Sequence, residues 1–176
     1  MRRLNNQGNK GDEMIGATLQ VEITVRTITQ PSLLGKLIAI TVSCGAEVLA
    51  ASSHWDGSNT VVKLVTEDAL RTTHALEAAG FACKSSPVVL VEAPDKPGLP
   101  DFLRGKLSIA GINVIYTYSF RSDGGLTYVV FKTTDDIRAI YILEVEALIR
   151  GLAAARNWRR PAAEDAAEPG EVQHAA

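Results

Sequence analysis

Three histidines, two cysteines and one pair of adjacent aspartates are the side chains that metal, nucleophilic or acid–base chemistry would draw on. Their spacing supports none of these. His54 falls in a turn, His74 on an amphipathic segment and His174 near the C-terminus. No Cys-x-x-Cys, His-Glu-x-x-His, Gly-x-Ser-x-Gly, P-loop or Gly-x-Gly-x-x-Gly pattern occurs. Asp135-Asp136 precedes an apolar-periodic run, where carboxylates complement a helix N-terminus. Cys44 and Cys83 read as reduced thiols of a cytoplasmic chain, since two cysteines do not make a disulfide framework. The chain is expected to be no enzyme and to carry no metal and no cofactor.

One segment does offer ligand chemistry. Asp95-Lys96-Pro97-Gly98-Leu99 leads from a strand into a helix. Pro97 suits the first helical position. Gly98 has no Cβ, so a ligand can come close to the main chain. The orphan N–H groups and the positive helix end favour a carboxylate, although Pro100 removes one donor. Asn113 follows the helix-ending Gly111, and its carboxamide both donates and accepts. Together these groups suit the carboxylate and ammonium of a zwitterionic amino acid. Pro-Gly is also common loop punctuation and Asn after Gly a common helix stop, so the residues alone leave a plain turn open.

The elements that position these groups repeat. Pro31-Ser32-Leu33 and Pro97-Gly98-Leu99 share one offset of 66 positions with Leu37 and Leu103, and with Gly45-Ala46-Glu47-Val48 and Gly111-Ile112-Asn113-Val114. Matches at a fixed offset indicate two copies of one supersecondary unit. In the first copy Leu19, Val21, Ile23 and Val25 alternate with polar Gln20, Glu22 and Thr24, as in a strand. Pro31 opens a helix that Gly45 ends. Glu47 to Ser53 and Thr60 to Val65 are strands joined through the Asp56-Gly57 turn. A helix from about Glu67 to Ala79 precedes a short strand, Phe81 to Lys84.

The second copy follows the same order. Val88 to Glu92 is a strand too continuously apolar to face solvent on both sides. Leu99, Leu103, Leu107 and Ala110 form one helical stripe. Asn113 to Phe120 is a strand with Val114, Tyr116, Tyr118 and Phe120 expected on one face. Ser122 to Gly125 is a hairpin and Leu126 to Thr133 the return strand. A last helix runs from near Asp135, at most to Trp158. No final strand follows. Its loss would leave the neighbouring strand unpaired unless another chain, or the region before Val21, covers that edge. This is a reason to expect a dimer.

The order β-α-β-β-α-β, twice, gives an α+β fold of two ferredoxin-like units, antiparallel sheets with helices on one face. The units are expected at 17–86 and 87–158. Residues 1–16 read as a disordered arm and 159–176 as a disordered acidic tail.

The chain has 176 residues, 46% hydrophobic and 22% charged, with a formal net charge of -2. That balance fits a globular protein and disfavours a nucleic-acid partner, which calls for an excess of Lys and Arg. Gly125 to Phe131 partly matches the third-strand signature of RNA recognition motifs, but Leu126 stands where an aromatic must stack a base. No apolar run approaches the length of a membrane span, so no membrane partner is expected.

The block Asp95-Lys96-Pro97-Gly98-Leu99, with Leu103, Leu107 and Ala110-Gly111-Ile112-Asn113-Val114, resembles the ACT domain in the order and spacing of its motifs. Tyr116, Tyr118 and Phe120 resemble the second strand of tandem ACT proteins that lack an enzyme domain. The resemblance spans both repeats and implies βαββαβ units that bind small ligands, usually amino acids, at interfaces between units. It places Asp95, Pro97, Gly98, Leu99, Ile112 and Asn113 in the ligand site. The first-repeat counterparts are Gln30, Ser32, Leu33 and Glu47. Ser32 puts a side chain where a ligand would approach, and Glu47 puts negative charge where its carboxylate would sit. The resemblance thus implies a regulatory amino-acid sensor without catalytic activity, and the missing strand adds the expectation of a homodimer. The alternative is an interaction module that binds no ligand and regulates a partner protein or transcription.

Overall fold

A computed structural model describes residues 16–122 and 125–144. The expected arm before Gly16, the hairpin tip at 123–124, the end of the last helix and the acidic tail lie outside the described residues. The element order is β1 (Gly16–Ile28), α1 (Leu33–Ser43), β2 (Val48–Trp55), β3 (Asn59–Thr66), α2 (Ala69–Ala78), β4 (Cys83–Pro94), α3 (Leu99–Ile109), β5 (Val114–Arg121) and β6 (Leu126–Thr133). A further helix, α4, is described over 136–144.

All six strands form one sheet in the order β2-β3-β1-β4-β6-β5, antiparallel throughout. The two short strands expected at Phe81–Lys84 and Val88–Glu92 are one continuous strand, β4. Its first half closes the first unit and its second half opens the second. β1 is shared in the same way. Its C-terminal half pairs with β3 from Glu22 to Ile28, while Gly16 to Gln20 pair with β4 at Glu92 to Val88. The strand missing from the second repeat is therefore supplied by the start of the first. The region before Val21 covers the edge, so that edge gives no reason for a second chain.

The ladder also shows where the repeat turns on itself. Val21 faces Pro87, and these residues are themselves related by the 66-position offset. They mark a pseudo-twofold axis through the β1–β4 seam.

Both helix pairs cover the same face of the sheet. Ile23, Val25, Val62 and Leu64 pack with Leu37 of α1 and Leu76 of α2. Val89, Val91, Val129 and Phe131 pack with Leu99, Leu103 and Leu107 of α3 and Ala139 and Leu143 of α4. The i, i+4 spacing of the three α3 leucines gives that helix its buried stripe. Asp68 caps α2 by accepting the Arg71 N–H at 2.9 Å, and Asp135 accepts the Arg138 N–H at 3.0 Å at the start of α4.

The helix-free face is concave. Edge strands β2 and β5 approach each other across it, over a core of Ala50, Val65, Val88, Leu90 and Val130. Val88 to Val91 are thus buried on both sides, as their unbroken apolar run requires. Register shifts between Val48 and Ala50 and between Val114 and Tyr116 place an irregularity at the same point of each repeat. Such bulges increase local twist. The second one corrects an expectation: Val114 faces the helices, while Tyr116 and Tyr118 face the concave side.

Candidate functional site

The β4–α3 turn is held from behind. The Asp95 N–H donates to the Gly125 carbonyl at 2.9 Å. One Asp95 carboxylate oxygen accepts from the Thr127 hydroxyl at 2.9 Å and the other meets Arg121 Nε at 2.8 Å. Leu99 is buried and anchors the helix start in the core. Between these anchors Pro97 and Gly98 are exposed. Gly98 sits in the left-handed region at φ 77, which glycine adopts without steric cost. Its carbonyl accepts the Phe102 N–H at 2.9 Å, starting the helix. A Cβ placed on Gly98 would meet nothing within 4 Å, so the space over this main chain is open.

Asn113 lies elsewhere. Its backbone is fixed, with the N–H donating to Thr134 Oγ1 at 3.3 Å and the carbonyl accepting the Thr134 N–H at 3.0 Å. Its carboxamide is exposed. Ile112 beside it is buried and ties the chain back, its N–H donating to the Leu107 carbonyl at 2.9 Å. Gly98 and Asn113 flank opposite ends of α3. That helix has 11 residues, about 16 Å at 1.5 Å per residue. One unit does not bring the two groups together.

The first repeat keeps the plan with different chemistry. Ser32 holds φ 58, the one non-glycine residue with positive φ among the described residues. Its hydroxyl makes no cap bond. Leu33 is buried, as Leu99 is, while Gln30 and Glu47 are exposed at opposite ends of α1. At the position of Asp95 stands Thr29, bonded to Thr60 at 3.2 Å instead of forming an ion pair.

A cluster that the sequence reading missed lies on the concave face. Glu22 alternates with apolar neighbours along β1, yet it is fully buried. Its carboxylate takes Lys63 Nζ at 2.6 Å, the Tyr116 hydroxyl at 2.7 Å and the Tyr118 hydroxyl at 2.9 Å. Lys63 also lies 3.8 Å from the Tyr116 ring centre. Burial, reinforced by the Glu22 carboxylate, holds both phenols well above their ordinary range. A charged residue at a strand centre, with a lysine and two alternating tyrosines elsewhere, was the available signal. The same curl removes a base-stacking surface: Phe131 is buried under the helices and the tyrosines are turned inward.

No protein-family model and no curated protein matches the sequence. Solved structures do match. A protein of Bacteroides thetaiotaomicron aligns with TM-score 0.62 and 20% identity over 74% of this chain and 90% of its own. The ligand-free regulatory subunit of aspartate kinase from Thermus thermophilus aligns with TM-score 0.55 and 16% identity, over 78% of this chain and 99% of its own. That from Thermus flavus gives 0.51 and 18%, over 82% and 97%. The chain adopts a tandem ACT-type fold. Its main features are the strand-sharing seam, the helix-covered face and the two β-to-helix turns. Among the described residues of this ACT-type chain no helix is long and apolar enough to cross a membrane. No group of three or more His, Cys, Asp or Glu among them is placed to hold a metal ion.

Proposed function

We propose that this tandem ACT-type chain is a non-catalytic regulatory protein that binds a free amino acid at a junction between ACT-type units. The observation that carries this reading is the Gly98 turn. It is braced by Asp95, Arg121 and Thr127, yet open above the glycine. A ligand carboxylate meets the positive end of α3 there. Asn113 completes the grip from a second copy, because in its own unit it stands at the far end of α3. The site is thus a reason for a homodimer independent of any unpaired edge. Both cysteines are free, in keeping with a cytoplasmic setting.

A thermal-shift panel of the twenty amino acids tests the reading. A ligand at 100 times its Kd adds about 2.7 kcal/mol, which raises Tm by roughly 5–10 °C for a chain of this size. Gly98→Ser places a side chain in the open space and keeps a residue type that the same fold holds at Ser32. It is expected to fold and to lose the shift, as is Asn113→Ala. A flat panel would instead favour the interaction module, the reading supported by Ser32 and Glu47 in the first repeat.

A further inference from the structure

The concave face has a second feature, independent of the Gly98 turn. A groove of ≈ 410 Å³ opens on it beside the buried Glu22 cluster. Its volume lies within the range of small-molecule sites. The β1–β3, β1–β4 and β2–β3 registers arrange its lining in two rows across four strands. His54, Val61 and Arg26 form one row; Lys63, Thr24 and Lys84 form the next. Three cations from three different strands therefore stand around Thr24, whose hydroxyl donates to Glu22 Oε1 at 3.5 Å.

The charges in the groove are unequally satisfied. Lys63 is committed to Glu22. Arg26 is exposed and engages Asp56 through Nη2 at 2.6 Å. Asp56 also accepts the Ser58 and Asn59 N–H groups at 3.1 and 2.9 Å, so its carboxylate stays bonded if Arg26 turns away. An exposed ion pair of this kind contributes little by itself. Lys84 is exposed and forms no ion pair among the described residues. Lys84, opposite Thr24 in the register, is thus a cation with no ion pair among the described residues, and Arg26 is one whose exposed pair with Asp56 a ligand can displace.

The pseudo-symmetric half of the same face does not repeat this chemistry. The position corresponding to Arg26 at the 66-residue offset is Glu92, and β5 contributes Tyr118 and Phe120 there. The basic groove belongs to the first unit alone, the unit whose own β-to-helix turn carries Ser32.

We infer that this groove is a binding site for a small dianion carrying carboxylate or phosphate groups, held between Arg26 and Lys84 over Thr24. Charge-assisted hydrogen bonds from a guanidinium and an ammonium recognise that ligand class. The site is separate from the Gly98 turn, so the outcome of the amino-acid panel leaves it untouched.

Isothermal titration of the full chain with citrate, succinate, inorganic phosphate and inorganic diphosphate tests this inference and separates the carboxylate from the phosphate source. At least one probe is expected to bind with one-to-one stoichiometry per chain. Lys84→Ala and Arg26→Ala are each expected to weaken it by about fivefold or more. Arg104→Ala, at an exposed cation on α3 away from both sites, is expected to leave the affinity unchanged. Two results would overturn the inference: no binding of any probe, or equal weakening by Arg104→Ala and Lys84→Ala, which marks general charge attraction. Unchanged circular dichroism of the three variants separates loss of the site from loss of the fold.

Discussion

The Tyr118 hydroxyl reaches Oε2 of Glu22 at 2.9 Å, although β5 and β1 stand three places apart in the strand order. In a flat sheet those strands would be about 14 Å apart. The contact therefore ties the outer strand of one unit to the central strand of the other and holds the sheet in its curl. Removing Glu22 leaves Lys63, only 14% exposed, as a largely buried charge without its counter-ion. Glu22→Ala is expected to destabilise the fold by about 3–5 kcal/mol, the usual cost of breaking a buried pair from one side. Glu22→Leu combined with Lys63→Met is expected to cost less than Glu22→Leu alone. Urea unfolding measures both, and a loss below about 1 kcal/mol for Glu22→Ala would show that the cluster does not hold the curl.

Ser32 and Gly98 share one backbone conformation with opposite consequences. A left-handed residue with a Cβ costs roughly 1–2 kcal/mol, while glycine loses more chain entropy on folding. Ser32→Gly is expected to gain about 0.5–1 kcal/mol on balance and to raise Tm by a few degrees. Gly98→Ala, which meets no steric obstacle, is expected to lose a similar amount. Opposite signs in chemical denaturation confirm the shared geometry, and equal signs refute it.

The inward tyrosines set an alkaline limit on stability. Burial first, with the Glu22 carboxylate adding to it for both, raises the Tyr116 and Tyr118 phenols above their ordinary value near 10. Below that value both states are protonated and the contribution is fully present. Above it the unfolded chain releases its phenolic protons first, so stability falls as pH rises toward the folded-state values. Urea midpoints measured from pH 9 to pH 11.5 are expected to drop steadily. Tyr116→Phe with Tyr118→Phe is expected to flatten that drop while lowering the midpoint at pH 8. A slope unchanged by the double variant would mean that other groups govern it.

How far the sequence disclosed this arrangement differs from element to element. Val88 to Val91 were legible as a strand that cannot face solvent on both sides, because an unbroken apolar run has no polar face to offer; that both sides are covered only the structure shows. The Gly98 turn was legible because proline and glycine fix backbone geometry locally, but Pro97 does not take the first helical position: the helix starts at Leu99 with Gly98 as its N-cap, and Pro100 is the proline of the first turn. Glu22 was not legible, since alternation tells which residues share a face and not which face becomes covered. Its partners come from 41, 94 and 96 residues away. The side on which Val114 points was hidden too, because one irregularity before Tyr116 reverses the alternation. Shared strands were only partly visible: the region before Val21 stood among the candidates to cover the open edge, but that β1 and β4 each run unbroken through two units only the register reveals. For the candidate site, nearness in sequence misled. Gly98 and Asn113 are close along the chain, yet the helix between them sets them at its two ends.

That separation leads to a complementation experiment. If Gly98 and Asn113 grip one ligand from different copies of the chain, two inactive variants can restore a site. Gly98→Ser lacks the open main chain and Asn113→Ala lacks the carboxamide, so neither homodimer has an intact pair. In a mixed dimer, one of the two junctions combines the intact Gly98 of the second variant with the intact Asn113 of the first, and the other junction combines both lesions. Random exchange in an equimolar mixture makes half the dimers mixed, so about a quarter of the junctions regain binding. Titration with the amino acid found in the thermal-shift panel is expected to give that stoichiometry after the variants are unfolded and refolded together. Refolded apart and then combined, they are expected to bind less until the subunits exchange. If co-refolded variants show no recovery while each alone has lost the shift, the two residues do not serve a common site across copies, and the grip assigned to Asn113 falls.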